Sequence, residues 1–168
     1  PRMTEANDEE MRKRVTSLLL QGESLTLIDN VSRRLGGATL DAVLTSEYWS
    51  DRLLGSNQTV KLPMRMVFMA TGNNVQVKGD LARRVLRCRL DPKTEFPEER
   101  SGFKHPNLLQ VVSQHRPRLV MAGLTILQSY IQSKESRFEL NSFGSFEGWS
   151  DLVRAALMWA DLADPVDN

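Results

Sequence analysis

Residues 25–30 read Leu-Thr-Leu-Ile-Asp-Asn, a short apolar run that ends in an acid and an amide. Four apolar or β-branched residues in succession predict a strand buried on both faces, as in a parallel sheet. A carboxylate at the carboxyl end of such a strand lies where α/β folds bind their ligands. Turns also favour Asp directly after a strand, so this run alone predicts the α/β class without identifying a site.

The segments around this run extend the α/β pattern. Thr4 is expected to cap a helix that reaches Gln21, because acids follow it and apolar residues recur at helical spacing. A short helix is expected over residues 38–45. A second buried strand over residues 65–70 stops at Thr71-Gly72-Asn73-Asn74. A helical turn is expected over residues 80–85, followed by a strand over 85–90 that contains Cys88 as a core residue.

A hairpin is predicted between the two buried strands. Gly55-Ser56-Asn57 is a turn signal, with Arg52-Leu53-Leu54 before it and Thr59-Val60-Lys61-Leu62 after it. The hairpin contains two cations, Arg52 and Lys61, and two uncharged polar residues, Asn57 and Gln58. An ordinary surface hairpin with scattered charges explains the same pattern.

Helices are expected after Pro92. One covers residues 107–115, Pro117 opens the next, and the last runs from about residue 146 to 160 with Ser145 as its cap. Residues 133–144 are expected to form a loop. The sequence therefore predicts an α/β part over residues 1–92 and a helical subdomain over residues 93–168.

Bulk composition narrows the functional classes. The net charge is +1, from 22 basic and 21 acidic residues, so any contact with nucleic acid must come from a local patch. The single cysteine excludes an internal disulfide, and no apolar stretch is long enough to span a membrane. These features favour a cytoplasmic protein. Because the chain begins at Pro1, close to a predicted helix, we expect it to be a piece of a longer protein.

Three sequence features could take part in catalysis, and their order along the chain is more informative about function than any one of them alone. Asp29 follows the first strand, Asn73 and Asn74 follow the second, and Arg83 and Arg84 come shortly afterwards. Each has a simple structural explanation as a turn or a solvated basic pair. Together they match the order of an acid, a polar amide and an arginine in nucleotide-hydrolysing enzymes.

In this order the sequence resembles the AAA+ ATPases, and specifically the primase-helicase proteins of phages, plasmids and integrated elements, the superfamily 3 helicases and their relatives. Residues 25–30 resemble the Walker B strand, residues 69–74 the sensor 1 strand, and residues 80–84 the segment that bears the arginine finger. The resemblance covers residues 1–92. The helices that follow would correspond to the family's lid or C-terminal helical region, although no motif marks them.

The resemblance implies ATP and Mg²⁺ as cofactors, DNA as partner and a ring of subunits, expected to be a hexamer. Asp29 would help to bind Mg²⁺, and Asn73 or Asn74 would contact the γ-phosphate. Arg83 or Arg84 would act on the ATP of the neighbouring subunit. The DNA contacts would be made by the hairpin and the loop near the sensor strand, through Arg52, Lys61 and Lys78.

Two departures from the family pattern limit this expectation. The second acid of a Walker B motif is here Asn30, so the usual catalytic base is missing. The sequence also contains no G-x-x-x-x-G-K-[ST] phosphate loop. We expect that loop upstream of Pro1, so this piece alone should be inactive.

Two other functions remain open at this stage. One is a non-catalytic scaffold for oligomerisation or DNA binding, built on a degenerate ATPase fold, which Asn30 in place of an acid favours. The other is a helix-turn-helix regulator formed by residues 105–168, which leaves the strand-end residues unexplained. His105 and His115 have no partners at metal-ligand spacing and are expected at the surface.

Overall fold

The computed structural model describes residues 1–53, 55–133, 140–141 and 143–167. The chain divides into two compact units, Pro1–Val85 and Leu86–Asn168. The first unit is mixed α/β, and the second consists of helices and irregular segments. The division precedes the boundary expected at residue 92.

The first unit contains five strands and two α-helices. In chain order these are β1 (Arg2–Thr4), α1 (Asp8–Leu20), β2 (Leu25–Asp29), α2 (Ala38–Val43), β3 (Tyr48–Arg52), β4 (Thr59–Pro63) and β5 (Val67–Ala70). Strands β1, β2 and β5 form a small parallel sheet in the order β1-β2-β5. Strands β3 and β4 form a separate antiparallel hairpin. The α/β class and the parallel sheet are thus present in the structure.

The sheet buries one face more completely than the other. Thr26 and Ile28 of β2 are fully buried and belong to the face that packs on the apolar residues of α1 and α2. Leu25 is half exposed, and Val67 and Met69 of β5 are 61% and 57% exposed. The expectation of strands buried on both faces is therefore wrong, because the second face, which carries Leu25 of β2 and Val67 and Met69 of β5, is exposed.

The start of the chain differs from the sequence prediction. Thr4 does not cap a helix, since it lies in β1 and pairs in register with Asp29. Helix α1 is capped by Asn7, whose side chain accepts a hydrogen bond of 2.9 Å from the backbone N–H of Glu10. Three residues are too short a strand for periodicity to reveal, and Met3 is buried only because β2 pairs beside it.

A 3₁₀ helix, Gly79–Arg84, follows β5 and confirms the expected helical turn. Its Leu81 is buried, which fixes the turn against the first unit. The strand expected over residues 85–90 does not form, because these residues have no strand partner in the described part of the chain. Cys88 is consequently exposed rather than a core residue.

The second unit is built around one long helix, α3 (Leu108–Gln132). The sequence predicted two helices separated at Pro117, but Pro117 lies inside α3. Proline removes one backbone hydrogen bond, and the helical residues on both sides retain theirs. After a short 3₁₀ turn at Pro97–Glu99, α3 and the later α4 (Glu147–Trp149) and α5 (Ala155–Trp159) complete the helices of the unit.

Helices α4 and α5 are joined by a π-helical turn, Ser150–Arg154, so the last predicted helix is present with one wide turn inside it. Phe146 rather than Ser145 occupies the N-cap position, without a side-chain cap. Ala155 and Ala156 pack with Tyr130 of α3 in a small core. Most of the expected loop over residues 133–144 falls outside the described residues.

None of the helices in the described ranges has the length and apolar character needed to cross a membrane.

Candidate functional site

The ends of three parallel strands meet at the carboxyl edge of the sheet. Thr4 of β1 is in register with Asp29 of β2, and Ile28 of β2 is in register with Ala70 of β5. The residues that follow these positions therefore lie at one edge, where parallel α/β sheets bind ligands. Two of the predicted site residues, Asp29 and Asn30, are at this edge.

Asp29 is held by the residue that follows β5. The hydroxyl of Thr71 donates a hydrogen bond of 2.6 Å to Oδ1 of Asp29. The same hydroxyl oxygen accepts a hydrogen bond of 3.2 Å from the backbone N–H of Asn30. Asn30 has a φ of 57°, a left-handed conformation that asparagine tolerates. The chain thus turns sharply after Asp29 and directs its carboxylate towards β5.

Arg2 of β1 supplies a second partner for Asp29. Its guanidinium Nη2 forms an ion pair with Oδ2 of Asp29, whose side chain is 21% exposed. The hydrogen bond from Thr71 and the one from Arg2 together hold the pKa of Asp29 below its usual value. Asp29 is therefore ionised at neutral pH, and each of its oxygens already has one partner.

A second carboxylate, Glu5, lies just after β1 and holds the loop after β2. Its Oε2 accepts hydrogen bonds from the backbone N–H and the hydroxyl of Ser32, both at 3.0 Å, and from the N–H of Arg33 at 3.2 Å. Burial raises the pKa of Glu5, but these hydrogen bonds outweigh burial and leave the pKa below its usual value. Glu5 thus acts as an anchor for the loop that follows Asn30.

The loops after β2 and β5 are joined to each other along their length. The N–H of Val31 donates to the carbonyl of Thr71 at 2.7 Å, and the N–H of Leu35 donates to the carbonyl of Gln76 at 2.8 Å. Gly72 makes the close approach possible, because a Cβ at this position would lie 2.4 Å from the carbonyl oxygen of Val31. The two candidate loops therefore form one connected structure.

Asn73 and Asn74 lie in the turn between these contacts and are exposed. Asn74 has a φ of 50°, which fits the turn role that the sequence also allowed. Within the described residues, neither side-chain amide hydrogen-bonds another group of the protein. Both amides are therefore free to contact a ligand at this edge, and the structure does not select one of them.

Arg83 and Arg84 end the 3₁₀ helix Gly79–Arg84. Arg83 forms an ion pair of 2.6 Å with Asp80, and both side chains are more than half exposed. Arg84 is half-buried. Exposed pairs of this kind are weak, so Arg83 can exchange Asp80 for another anion at small cost.

The predicted hairpin is present, with Arg52 opposite Thr59. Its strands alternate between an inward and an outward face, and Arg52 and Lys61 both lie on the outward face. Lys61 is stacked over the ring of Tyr48 at 4.5 Å from its centroid. Arg52 donates to the carbonyl of Ser56 at 3.2 Å and also contacts the side chain of Asn57. One face of the hairpin thus presents two cations and an exposed aromatic ring.

The inward face ties the hairpin to α1. Asp51, which is 8% exposed, accepts a hydrogen bond of 2.5 Å from the hydroxyl of Thr16 and one of 2.9 Å from Nε of Arg12. The indole N–H of Trp49 donates to the Thr16 oxygen at 2.8 Å. Burial raises the pKa of Asp51, but these hydrogen bonds outweigh it, so the pKa stays below its usual value. The hairpin is thereby fixed to α1.

A polar groove of about 570 Å³ lies between α1 and the turn of the hairpin. Its lining includes the cations Arg12, Lys13 and Arg52 and the acids Glu9 and Asp51. Both acids are neutralised within the groove, because Glu9 pairs with Lys13 at 2.8 Å and Asp51 pairs with Arg12. Arg52 remains without an acidic partner in the described part of the chain.

The residues at the sheet edge fit Mg²⁺ through one carboxylate. Asp29 is ionised and still has unused lone pairs, and Mg²⁺ in nucleotide sites commonly uses one or two carboxylates with water and phosphate oxygens. No group of three or more His, Cys, Asp or Glu side chains that could hold a metal by themselves occurs among the described residues. A magnesium ion here would therefore depend on the oxygens of a phosphate ligand.

Sequence reasoning missed the residues from other strands that hold Asp29 and the loop after it. Arg2, Glu5 and Thr71 are ordinary surface residues in the sequence, and each gains its role only through long-range strand pairing. Tyr48 was also missed. Its position opposite Pro63, two residues from Lys61, depends on a hairpin register that the sequence did not define.

No family model, no curated protein and no solved structure matches the chain.

Proposed function

We propose that this chain is part of an ATP-driven DNA motor, a helicase or primase-helicase of a mobile genetic element, with an AAA+-type core. The observation that carries the proposal is the position of Asp29. It ends the central strand of a parallel sheet, and the hydroxyl of Thr71 from the neighbouring strand holds its ionised carboxylate at the ligand-binding edge. This is the place that α/β folds use for nucleotide chemistry.

The roles of the edge residues follow from that position. Asp29 helps to hold Mg²⁺, which would neutralise charge on the phosphates and help to orient the attacking water. Asn73 or Asn74 donates from its free amide to the γ-phosphate. Because Asn30 has no carboxylate, it cannot act as a general base, and the water must be positioned by another group.

The hairpin supports the DNA part of the proposal. It lies in the sequence between the two strands that form the site, and α1 holds it through the contact of Thr16 with Asp51. Its outward face combines Arg52, Lys61 and the ring of Tyr48. Cations that contact phosphates and an aromatic ring that stacks on bases are the usual components of single-strand binding.

A free sheet edge is consistent with a further strand. Among the described residues, β5 pairs only with β2, so the backbone groups on its other side have no strand partner. An unpaired strand edge is a liability unless another element covers it. We propose that the strand of an upstream phosphate-binding loop occupies this edge, which would bring its lysine and N–H groups to Asp29.

The test is the ATPase rate of a protein extended upstream through that region, with and without single-stranded DNA. We expect DNA to stimulate hydrolysis, and we expect Arg83→Ala/Arg84→Ala to abolish hydrolysis while nucleotide still binds. Arg116→Ala/Arg118→Ala removes the same charge from α3 and should leave the rate unchanged. An extended protein that neither binds nor hydrolyses ATP would exclude the motor.

A second candidate is a scaffold that retains the fold without catalysis. The pairing of Arg2 with Asp29 favours it, because an arginine that neutralises this carboxylate competes with a metal ion. The two functions differ in one measurable way. A motor requires that Arg2→Ala leave hydrolysis intact or increase it, whereas a scaffold shows no hydrolysis with either residue.

A further inference from the structure

The joined loops after β2 and β5 form a short parallel ladder whose two faces differ. Leu35 and Val77 pair as a parallel bridge, and the N–H of Lys78 donates to the carbonyl of Leu35 at 2.8 Å. Leu35 packs against the core of the first unit. Because successive side chains in an extended segment alternate between faces, the neighbours of this bridge point away from the core.

Those neighbours are Arg34 and Gln76 on one side of the bridge and Gly36 and Lys78 on the other. Arg34, Gln76 and Lys78 are all exposed. Gly36 has no side chain, and a Cβ there would lie 2.6 Å from Cβ of Lys78, so the lysine stem occupies that space. Arg34 and Gly36 are two positions apart, which separates the two cationic stems by about 7 Å.

The guanidinium of Arg34 is held in place by one hydrogen bond. Its Nε–H donates to Oε1 of Gln76 at 3.1 Å. This contact leaves the two terminal amino groups of the guanidinium available, and they form the fork that matches a phosphate group. The arginine is therefore oriented before any ligand binds.

Among the residues that the structure describes, no acid neutralises this surface, because neither Arg34 nor Lys78 takes part in an ion pair, whereas the nearby Arg83 does. Two cations at neighbouring positions of this ladder repel each other, and an anionic partner with several charges relieves that repulsion. The surface thus suits a chain of phosphates better than a single small anion.

We propose that Arg34 and Lys78 bind consecutive phosphates of a single-stranded nucleic acid, with Gln76 as a positioning residue for Arg34. This inference rests on the proposed DNA motor and adds a contact surface outside the hairpin. Lys78 was a candidate from the sequence, but Arg34 and Gln76 were not. Their role depends on the ladder between the two loops.

The test uses the 168-residue chain and fluorescence anisotropy of a labelled oligo-dT strand over a range of salt concentrations. Each phosphate contact contributes about 0.7 to the slope of log affinity against log salt, so Arg34→Ala/Lys78→Ala should lower the slope by about 1.4 and weaken binding about 25-fold near 0.1 M salt. Arg65→Ala/Arg118→Ala removes the same charge from exposed positions and should change neither quantity.

Gln76→Ala separates positioning from charge, since it should weaken binding severalfold without a change in the salt slope. Equal slopes for the Arg34/Lys78 variant and its control, with the native chain still binding, would overturn this inference and leave the motor intact. If the native chain does not bind oligo-dT at all, both this inference and the DNA part of the proposed function fail. The proposal that the protein hydrolyses ATP is then tested by the hydrolysis rate alone.

Discussion

The hydroxyl of Thr71 donates a hydrogen bond of 2.6 Å to the carboxylate of Asp29, which lies 42 residues earlier in the sequence. This contact joins the ends of β2 and β5 at the edge where the candidate site lies. It also connects the two loops that carry the proposed phosphate contacts. Asp29 thus takes part both in the contact that joins the two strands and in the proposed nucleotide site.

Replacing Thr71 with Val should raise the pKa of Asp29 towards its usual value, because the hydrogen bond from Thr71 is the largest influence that lowers it. The carboxyl carbon of Asp29 reports this pKa in an NMR titration. Since a lowered pKa stabilises the fold above the pKa of the unfolded chain, the stability lost in Thr71→Val should be largest near neutral pH. In acid it should shrink to the part that comes from the lost hydrogen bond with the N–H of Asn30. Thr59→Val, on the hairpin, should leave the Asp29 titration unchanged, and an unchanged pKa in Thr71→Val itself would contradict the role of the hydroxyl.

The contact between the hairpin and α1 should be a major contributor to the stability of the first unit. Asp51→Ala leaves the guanidinium of Arg12 without its acceptor and removes one of the two acceptors of the buried Thr16 hydroxyl, which should cost about 2–3 kcal/mol. Urea unfolding followed by circular dichroism measures the loss. Asp80→Ala removes a carboxylate from an exposed ion pair and should cost less than about 1 kcal/mol. Equal costs for the two variants would show that the Asp51 network does not hold the hairpin.

Two glycine-to-alanine changes should have opposite signs. Gly72→Ala places a Cβ 2.4 Å from the carbonyl oxygen of Val31, so the joined loops must separate, at a cost of about 1–3 kcal/mol. Gly123 lies inside α3 with nothing within 4 Å of its Cβ position, and alanine there should stabilise the helix by up to about 1 kcal/mol. Thermal unfolding distinguishes the two. A neutral Gly72→Ala would mean that the loops are not in contact.

In the second unit, acid should weaken the pair formed by Arg154 and Asp164. The two hydrogen bonds between them measure 2.8 and 2.5 Å, and Arg154 holds the pKa of Asp164 below its usual value. The stabilisation is therefore complete above about pH 4, the value for an unfolded Asp, and is lost as the pH falls through the folded-state pKa. Asp164→Asn should lose about 1–3 kcal/mol at neutral pH.

The measurement for this pair is the urea midpoint across the acid range. Asp164→Asn should differ from the native chain at neutral pH and converge with it in acid. Asp151→Asn removes an exposed carboxylate of the same unit and should follow the native profile at every pH. A constant difference between Asp164→Asn and the native chain would contradict the pKa assignment.

Local sequence signals predicted the elements whose structure depends on nearby residues. The apolar run before Asp29 gave β2, the Gly-Ser-Asn turn gave the hairpin, and the Asp80–Arg84 segment gave its helical turn. Errors arose where a distant partner decides the outcome. The sequence around Thr4 is typical of a helix cap, but Thr4 lies in a strand that pairs with Asp29. Residues 85–90 have the pattern of a strand, but they have no partner strand among the described residues.

The residues of the candidate site also fall into those that the local sequence identifies and those that depend on distant partners. The sequence identified Asp29 because its type and position after a strand are local facts. It could not identify Thr71, Arg2 or Arg34, since nothing in their immediate neighbourhood distinguishes them from other surface residues. Their partners come from strands and loops that are brought together by the parallel sheet, and the strand order is a long-range property.

The most direct test of the account is ATP hydrolysis by the upstream-extended protein with Asp29→Asn, compared with Asp41→Asn on the exposed side of α2. We expect Asp29→Asn to retain nucleotide binding and to lose about 100-fold in turnover, because removal of one group that stabilises the transition state typically costs this much. Asp41→Asn should match the native rate. Equal turnover in the native protein and in Asp29→Asn would contradict the central claim that this carboxylate serves a nucleotide site.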